Sequence, residues 1–427
     1  MRIAIVALNA ESALFPNAGR RVGGMETFAW SLARGLAECP EDQISIIVRY
    51  STPRLPHVMA GVEVDGFHEP LREVRQSVSS SLELDGFRKL PRIKRWDGSL
   101  AWKLPALAFA KLCMPRFAEE NELRRTMERV RPDFVIALGV NPTSAMLVRI
   151  TRDLAINMLL SIQSNADLAR QFFVSDGFVD SYGVASHEAR TCLLECPNIV
   201  CQTQTQWTML QELGRLPQIN KNIAERSVVI PNPIDLGRFW ADGSPDSGQL
   251  ATRTNRTGIV WIGRADRFHK RPLLALEIAR ACPQIPFTMI VNRGDAEIHS
   301  VLVRKRPDNV TLVDYHPADQ MPDLLRKSWL FLSTSSAEFE GFPNVLLEAS
   351  ASGTPIVSLE DFDGFLARSQ AGLVADGNTA TAANLIQSLA DRPELWNELA
   401  GSAMAYVQLH HERKMVIRKF RDWILRC

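Results

Sequence analysis

Two carboxylates, Glu340 and Glu348, stand in a stretch whose residue types could grip a small polar ligand. An apolar run, Trp329 to Leu332, is long enough for a buried strand. It breaks into small polar residues ending at Glu340 and Gly341. Pro343, with its fixed φ and missing donor, suits a first helical position, and Val345, Leu346, Leu347 and Ala349 continue a helix until Gly353. Pro355 to Leu359 is apolar again, so the local order is strand, loop, helix, strand. A helix that opens after a strand turns unpaired N–H groups and the positive end of its dipole into the loop, which suits a phosphate. The acids would repel that phosphate and suit neutral hydroxyls instead. A nucleotide sugar carries both kinds of group. Among 48 Asp and Glu residues a bare pair has little weight, so its meaning depends on its surroundings.

Two further strand ends carry matching chemistry. After an expected strand at 258–262, the loop Gly263-Arg-Ala-Asp-Arg-Phe-His-Lys-Arg-Pro272 is basic and leads into a helix over 273–281, which places Arg264 and Lys270 beyond a strand terminus. Near the start, a strand at 3–8 is followed by a long loop ending in Gly23 and Gly24, a helix over about 25–38 and a strand at 44–48. Glycines at that turn let backbone approach a bound group. The spacing is not G-x-G-x-x-G, so the dinucleotide fingerprint is absent.

These pieces need elements to hold them. The alternation of strand and helix resumes with strands at 134–138, 156–162 and 199–201, a helix near 144–153 and another through Leu213. The strand beginning at Val228 ends in the turn Pro-Asn-Pro-Ile-Asp235. A Gly-, Ser-, Pro-, Asp- and Thr-rich connection follows, and the pattern restarts with six strands and a last helix near 379–390. The reading is an α/β chain of two Rossmann-like, doubly wound domains. The expected division is 1–235, a linker at 236–257, and 258–409. An amphipathic helix at 410–427 either docks back on the first domain or packs on the second. Ligands of such sheets bind beyond the carboxyl ends of the strands, where the Arg264 and Glu340 loops could share a crevice.

Composition narrows the classes. The chain of 427 residues holds 49 basic and 48 acidic side chains, a formal net charge of +1, so nothing global points to nucleic acid. A hydrophobic fraction of 46% with 23% charged residues is that of a globular protein, and no run has the length of a membrane span. The apolar start Met1 to Leu8 reads as a buried strand in place of a secretory signal. Seven scattered cysteines form no zinc or disulfide spacing, which suggests a reducing, cytoplasmic setting. Segment 86–117 sets Arg88, Lys89, Arg92, Lys94, Arg95, Lys103, Lys111 and Arg116 against the single acid Asp97, among Phe87, Trp96 and Trp102. That mixture fits an anionic membrane surface, giving peripheral attachment at the inner face, or a basic groove for an acidic acceptor. A solvated helical insertion is the alternative. Asp361 and Asp363 could hold a divalent cation, but acidic loops are common and no metal is expected.

In order and separation, five pieces resemble the retaining nucleotide-sugar glycosyltransferases of family 4, with the GT-B fold. They are Gly23-Gly24-Met25-Glu26, Val229 to Asp235, Gly263-Arg264 with Lys270, Glu340 to Ala349, and Gly353 to Val357. The resemblance spans nearly the whole chain and implies two lobes around a cleft, donor in the second and acceptor in the first. It implies Arg264, Lys270 and Glu340 as catalytic groups. Gly23, Gly24, Phe342, Pro343, Asn344, Val345 and Glu348 would bind the donor. Glu340 would hold hydroxyls of the transferred sugar and Glu348 the ribose diol, while backbone N–H groups at Gly24, Phe342 and Asn344 join the cations on the diphosphate. No cofactor or metal is implied. The expected partners are a nucleoside-diphosphate sugar and a glycan or lipid-linked acceptor, as in cell-surface polysaccharide or glycoconjugate synthesis. The sequence departs from the pattern in several places, among them Asn292 and His316, which stand where glycine is frequent. The gap from Arg264 to Lys270 is one residue longer, Arg271-Pro272 replaces a glycine and makes Arg271 a second candidate for the phosphate, and Ile162-Gln-Ser-Asn-Ala-Asp167 stands where a histidine is frequent. A catalytically silent sugar-nucleotide or glycan-binding protein and a GT-B epimerase are the alternatives.

Overall fold

A computed structural model describes residues 1–15, 23–50, 56–68, 74, 78, 82–83, 92–93, 98–113, 117–180, 182–217, 219, 223–240, 255–292 and 294–427. The first half forms an eight-stranded sheet in the order β10-β9-β8-β7-β1-β2-β4-β3. Its strands are β1 Arg2–Val6, β2 Gln43–Tyr50, β3 Val58–Met59, β4 Val62–His68, β7 Phe134–Leu138, β8 Asn157–Ser161, β9 Asn198–Cys201 and β10 Ser227–Val229. All pair in parallel except β3 with β4. A separate two-stranded hairpin pairs β5 Leu82–Glu83 with β6 Arg92–Ile93. The second sheet is wholly parallel, in the order β13-β12-β11-β14-β15-β16. It consists of β11 Ile259–Arg264, β12 Phe287–Asn292, β13 Val310–Val313, β14 Leu330–Ser333, β15 Ile356–Ser358 and β16 Gly372–Val374.

The central strands are continuous apolar runs because helices cover both faces. Phe134-Val-Ile-Ala-Leu138 is buried throughout, as is Leu330-Phe-Leu-Ser333. Each lobe has core on both sides of its sheet. In both sheets the chain reverses its direction of winding between two adjacent central strands, β1 and β7 in the first and β11 and β14 in the second. Loops leaving such a pair splay apart and open a crevice.

Helix α1, Gly24–Leu36, covers one face of the first sheet. The C-terminal helix α2, Arg413–Ile424, docks on it and not on the second lobe. Val416, Ile417, Phe420 and Ile424 enter the first-lobe core, with Phe28 and Phe420 rings 6.2 Å apart. Gly35 makes this packing possible, because a Cβ there would sit 2.5 Å from Ile417 Cγ1. Arg413 pairs with Glu38 at 2.5 Å and Arg421 with Asp42 at 2.6 Å. The two crossings between lobes lie side by side: Ile234 N donates to His411 O at 2.8 Å, and Arg413 N to Ile234 O at 3.0 Å.

Three local expectations change. Pro343 is not the first helical residue but the N-cap, with extended ψ of 110°, and its helix α3 runs Asn344–Ala351. A three-residue strand, β16, completes the second sheet where no strand was located in the sequence. The helix at 379–390 is followed by another, α4, over Pro393–His411. Of the basic and aromatic segment, Phe87, Arg88, Lys89, Lys94, Arg95, Trp96, Asp97 and Arg116 lie outside the described residues, as do residues 241–254 of the linker. Helix α5, Leu100–Cys113, is described, with Leu100 buried and Trp102 exposed beside Lys103. Among the described residues no helix is long and apolar enough to cross a membrane.

Candidate active site

Because β11 and β14 are hydrogen-bonded neighbours, the loops after them run together above the sheet. Their contact is built from buried hydrogen bonds. Trp261 Nε1 donates to Thr334 Oγ1 at 2.8 Å, and Thr334 Oγ1 donates to Lys270 O at 2.7 Å. Ser336 N donates to His269 O at 2.8 Å. This lacing presents Lys270 to the loop after β14, where its Nζ lies 2.8 Å from Glu340 Oε1. Both side chains are 17% exposed, so the pair sits in a recess open at one side.

Arg271, the second candidate for a phosphate, turns away. Its backbone is left-handed at φ 47°, its Nε donates to Thr334 O at 2.7 Å and its Nη2 to Ser335 O at 2.6 Å. The same guanidinium pairs with Glu360 at 2.5 Å. It buttresses the loop that carries Glu340 and has little left to offer a ligand. Arg264, at the end of β11, is exposed at the cleft, 3.9 Å from Asp266 and in the field of Tyr182 of the first lobe. Burial pulls its pKa down, but Tyr182, Asp266 and Glu340 together hold it above the ordinary value.

Helix α3 opens beside this cluster and helix α1 opens opposite. Neither has a side-chain cap on its N-terminus, so both leave first-turn N–H groups for another acceptor. The two ends face each other: a Cβ on Gly24 would lie 3.9 Å from Asn344 Nδ2. Asn344 Oδ1 also accepts from Asn232 Nδ2 at 2.7 Å, across the lobes. Two positive helix ends and two cations therefore converge on one part of the cleft. Gly23 is the extended N-cap of α1, its carbonyl accepting from Thr27. Glu348, in the second turn of α3, is half-buried. That burial raises its carboxyl pKa, against the opposing field of Arg238. Phe342 packs edge-on to Phe365 and stacks on His411, while Pro343 is buried and Val345 joins the core beneath.

The first lobe closes tightly over this floor. In the stretch from Ile162 to Asp167, Ser164 Oγ donates to Phe339 O and Asn165 Nδ2 to Ala337 O at 2.7 Å. Gly341 lies so near the first lobe that a Cβ would meet Gln206 Nε2 at 2.5 Å and Gln163 O at 2.9 Å. Asp361 and Asp363 have separate tasks. Asp361 accepts from Leu366 N at 2.9 Å, whereas Asp363 reaches the first lobe and accepts from Thr205 N and Oγ1, each at 2.8 Å. Sequence reasoning missed Ser164, Asn165 and Tyr182, whose roles exist only once the lobes meet.

The family described as glycosyl transferases group 1 matches residues 256–392, the heart of the second lobe. No curated protein sequence matches the chain. Among solved structures, HepE of Anabaena, in complex with UDP and glucose, superposes over 100% of both chains with a TM-score of 0.64 at 14% identity. Sucrose-phosphate synthase from Thermosynechococcus elongatus gives 0.67 at 16% identity, covering 100% of this chain and 98% of the other. UDP-GlcNAc 2-epimerase from Neisseria meningitidis gives 0.55 at 11% identity over 100% of both. The architecture of two parallel-sheet lobes is GT-B.

Proposed function

We propose that this chain, GT-B in architecture and matched in its second lobe by the group 1 model, is a glycosyltransferase that transfers a sugar from a nucleoside diphosphate to a glycan or lipid-linked acceptor with retention of anomeric configuration. The observation that carries this reading is the juxtaposition of Lys270, Arg264 and Glu340 with two facing, uncapped helix N-termini. A diphosphate gains negative charge as its bond to the sugar breaks. Cations and N–H dipoles fixed beforehand in a narrow cleft stabilise that charge more than they stabilise the ground state. Lys270 and Arg264 supply the cations, and the N–H groups near Gly24, Phe342 and Asn344 the dipoles.

Glu340 accepts hydrogen bonds from hydroxyls of the departing sugar while its charge keeps Lys270 aimed inward. Glu348, in the second turn of α3, takes the ribose diol. No carboxylate is placed as a nucleophile. The leaving phosphate oxygen takes the proton of the acceptor hydroxyl on the face from which it departs, which preserves configuration. The bound UDP and glucose of HepE support a uridine donor as the first to try. No metal takes part in this scheme, so turnover survives EDTA. A place in cell-surface polysaccharide or glycoconjugate synthesis, at the inner face of the membrane, agrees with it.

The test is nucleotide release from UDP-, GDP- and ADP-sugars, with and without acceptor. Glu340→Ala is expected to lower kcat, and Glu348→Ala to raise the donor KM. Unchanged kinetics in both variants would remove the assignment. A sugar converted at C2 with no glycoside formed would instead favour the epimerase reading, which the shared fold with the Neisseria enzyme keeps in play.

A further inference from the structure

At the mouth of the cleft the lobes meet through a strip of rings that the transfer scheme leaves without a task. Tyr182 comes from the first lobe, at the tip of a turn fixed by Asp180. That carboxylate accepts from Tyr182 N at 2.9 Å and from Val184 N at 2.8 Å. Phe268, His269 and Phe339 come from the second lobe. Ring centroids are 5.8 Å apart for Tyr182 and His269, 5.3 Å for His269 and Phe339, and 5.9 Å for Phe268 and Phe339. Tyr182 and Phe268 are 57% and 60% exposed, so this apolar strip faces solvent. It also borders the reacting groups, since His269 precedes Lys270 and Phe339 precedes Glu340.

The polar atoms of the strip have a fixed sense. Asp266 Oδ1 lies 3.2 Å from His269 Nδ1 and accepts from His269 N at 2.6 Å. Although burial pushes this carboxyl upward, its hydrogen bonds from His269 hold it well below the usual range, so it is ionised and can only accept. In the neutral ring His269 Nδ1 therefore carries the proton and Nε2 presents a lone pair. Tyr182 Oη, 2.8 Å away, donates to that lone pair in this tautomer. The Arg264 guanidinium lies in the field of the same phenol. With its proton turned to His269, the phenol oxygen offers lone pairs to an O–H arriving from the cleft.

Building on the transfer function proposed above, we infer that Tyr182, Phe268, His269 and Phe339 form the acceptor subsite and that it takes a sugar ring. The C–H face of a pyranose lies on the rings, and one of its hydroxyls donates to Tyr182 Oη. A neighbouring hydroxyl then faces the anomeric carbon held between Lys270 and Glu340. A bare alkyl alcohol has no such face and no second hydroxyl, so the unit that accepts the sugar is itself a sugar, whatever it is attached to.

The experiment compares wild type, Tyr182→Phe and Phe268→Ala with UDP-glucose, UDP-GlcNAc and GDP-mannose as donors and with octyl glucoside, octyl mannoside and octanol as acceptors. Transfer to a glycoside but not to octanol is expected. Each variant should raise the glycoside KM about tenfold relative to the donor KM, the fold-change of one lost hydrogen bond or ring contact. Phe268 lies outside the hydrogen-bond relay, so its variant tests the strip even if Tyr182→Phe alters closure. Equal use of octanol, an unmoved glycoside KM, or equal shifts in both KM values would overturn the subsite. A wild type that transfers from none of the donors overturns the proposed function and this inference with it, whereas normal transfer by insensitive variants overturns the subsite alone.

Discussion

Lys270 and Arg271 are adjacent cations, and the structure gives them opposite tasks, which a pair of substitutions can separate. Lys270→Met removes an ammonium that pairs with Glu340 at 2.8 Å in a recess. A unit charge about 4 Å from a phosphate oxygen is worth about 4 kcal/mol at the effective dielectric of a partly buried site. At about 1.4 kcal/mol per decade that is roughly 10³ in rate. The loss should fall on kcat, because charge builds on the diphosphate only as the bond breaks. Arg271→Met keeps the diphosphate site but releases two carbonyls, at 2.6 and 2.7 Å, and the Glu360 pair. Hydrogen bonds to a charged group contribute about 1.5–3 kcal/mol each, and neighbouring ones do not add fully. A loss of about 3 kcal/mol in stability is expected, with kcat per folded molecule within about fivefold of wild type. Nucleotide release on protein quantified by active fold, together with thermal unfolding, reads both effects. If Arg271→Met lost about 10³ in kcat while Lys270→Met stayed near wild type, the assignment of the phosphate cation would be reversed.

Two other predictions concern closure and pH. Gly341→Ala places a methyl against Gln163 O, a backbone atom that cannot swing aside, so lobe closure should be blocked with the fold intact. About a tenfold or greater drop in kcat/KM at unchanged melting temperature is expected, and wild-type kinetics would show that this approach is not needed. Asp167 accepts from Gln163 N and Ser164 N through one oxygen, and burial raises its pKa to about 6 from 3.8. Between these values the native state binds more protons than the unfolded chain, so this group favours the fold increasingly as pH falls and opposes it above 6. Asp167→Asn keeps an acceptor oxygen in place and should stabilise the protein by about 3 kcal/mol at pH 8, shrinking to about half at pH 5. Denaturant unfolding at both pH values checks it, and a pH-independent difference would refute it.

The single elements of each lobe were easier to read than the way the lobes meet. Strands at 134–138 and 310–313 agree with the structure to the residue; the first is buried on both faces and must be apolar at every position, whereas the second is an edge strand whose β-branched residues mark it although Thr311 is exposed. β16 escaped because its three half-buried residues, Gly372, Leu373 and Val374, lie at a sheet edge and bear no such run. Helix α4 escaped for another reason: its buried positions Trp396, Leu399, Ala400, Ala403 and Val407 have helical spacing, but two are alanines, weak marks of a core face. The docking of α2 was one of two readings open in the sequence. Its choice rests on Gly35, a helical glycine whose reason becomes visible only when Ile417 is set against it.

For the site, the legible part is what a loop does with its own strand and helix. Arg264, Lys270 and Glu340 could be grouped because each follows a strand of one sheet, and winding order makes two of those strands neighbours. The decision between Lys270 and Arg271 depended on carbonyls of Thr334 and Ser335, 63 and 64 positions away, to which no local pattern points. The same limit applies with more force to groups contributed from across the cleft. Ser164, Asn165 and Tyr182 hold or face the Glu340 loop only when the lobes are closed, so their residue types carry no signal within their own segment. A cleft that closes over its substrate must place part of its specificity on such residues, because the floor alone binds any diphosphate with hydroxyls nearby. Differences in acceptor choice among proteins sharing this floor should therefore concentrate in the first-lobe loop around Tyr182, and exchanging residues 176–185 should change which acceptor is used before it changes which donor is bound.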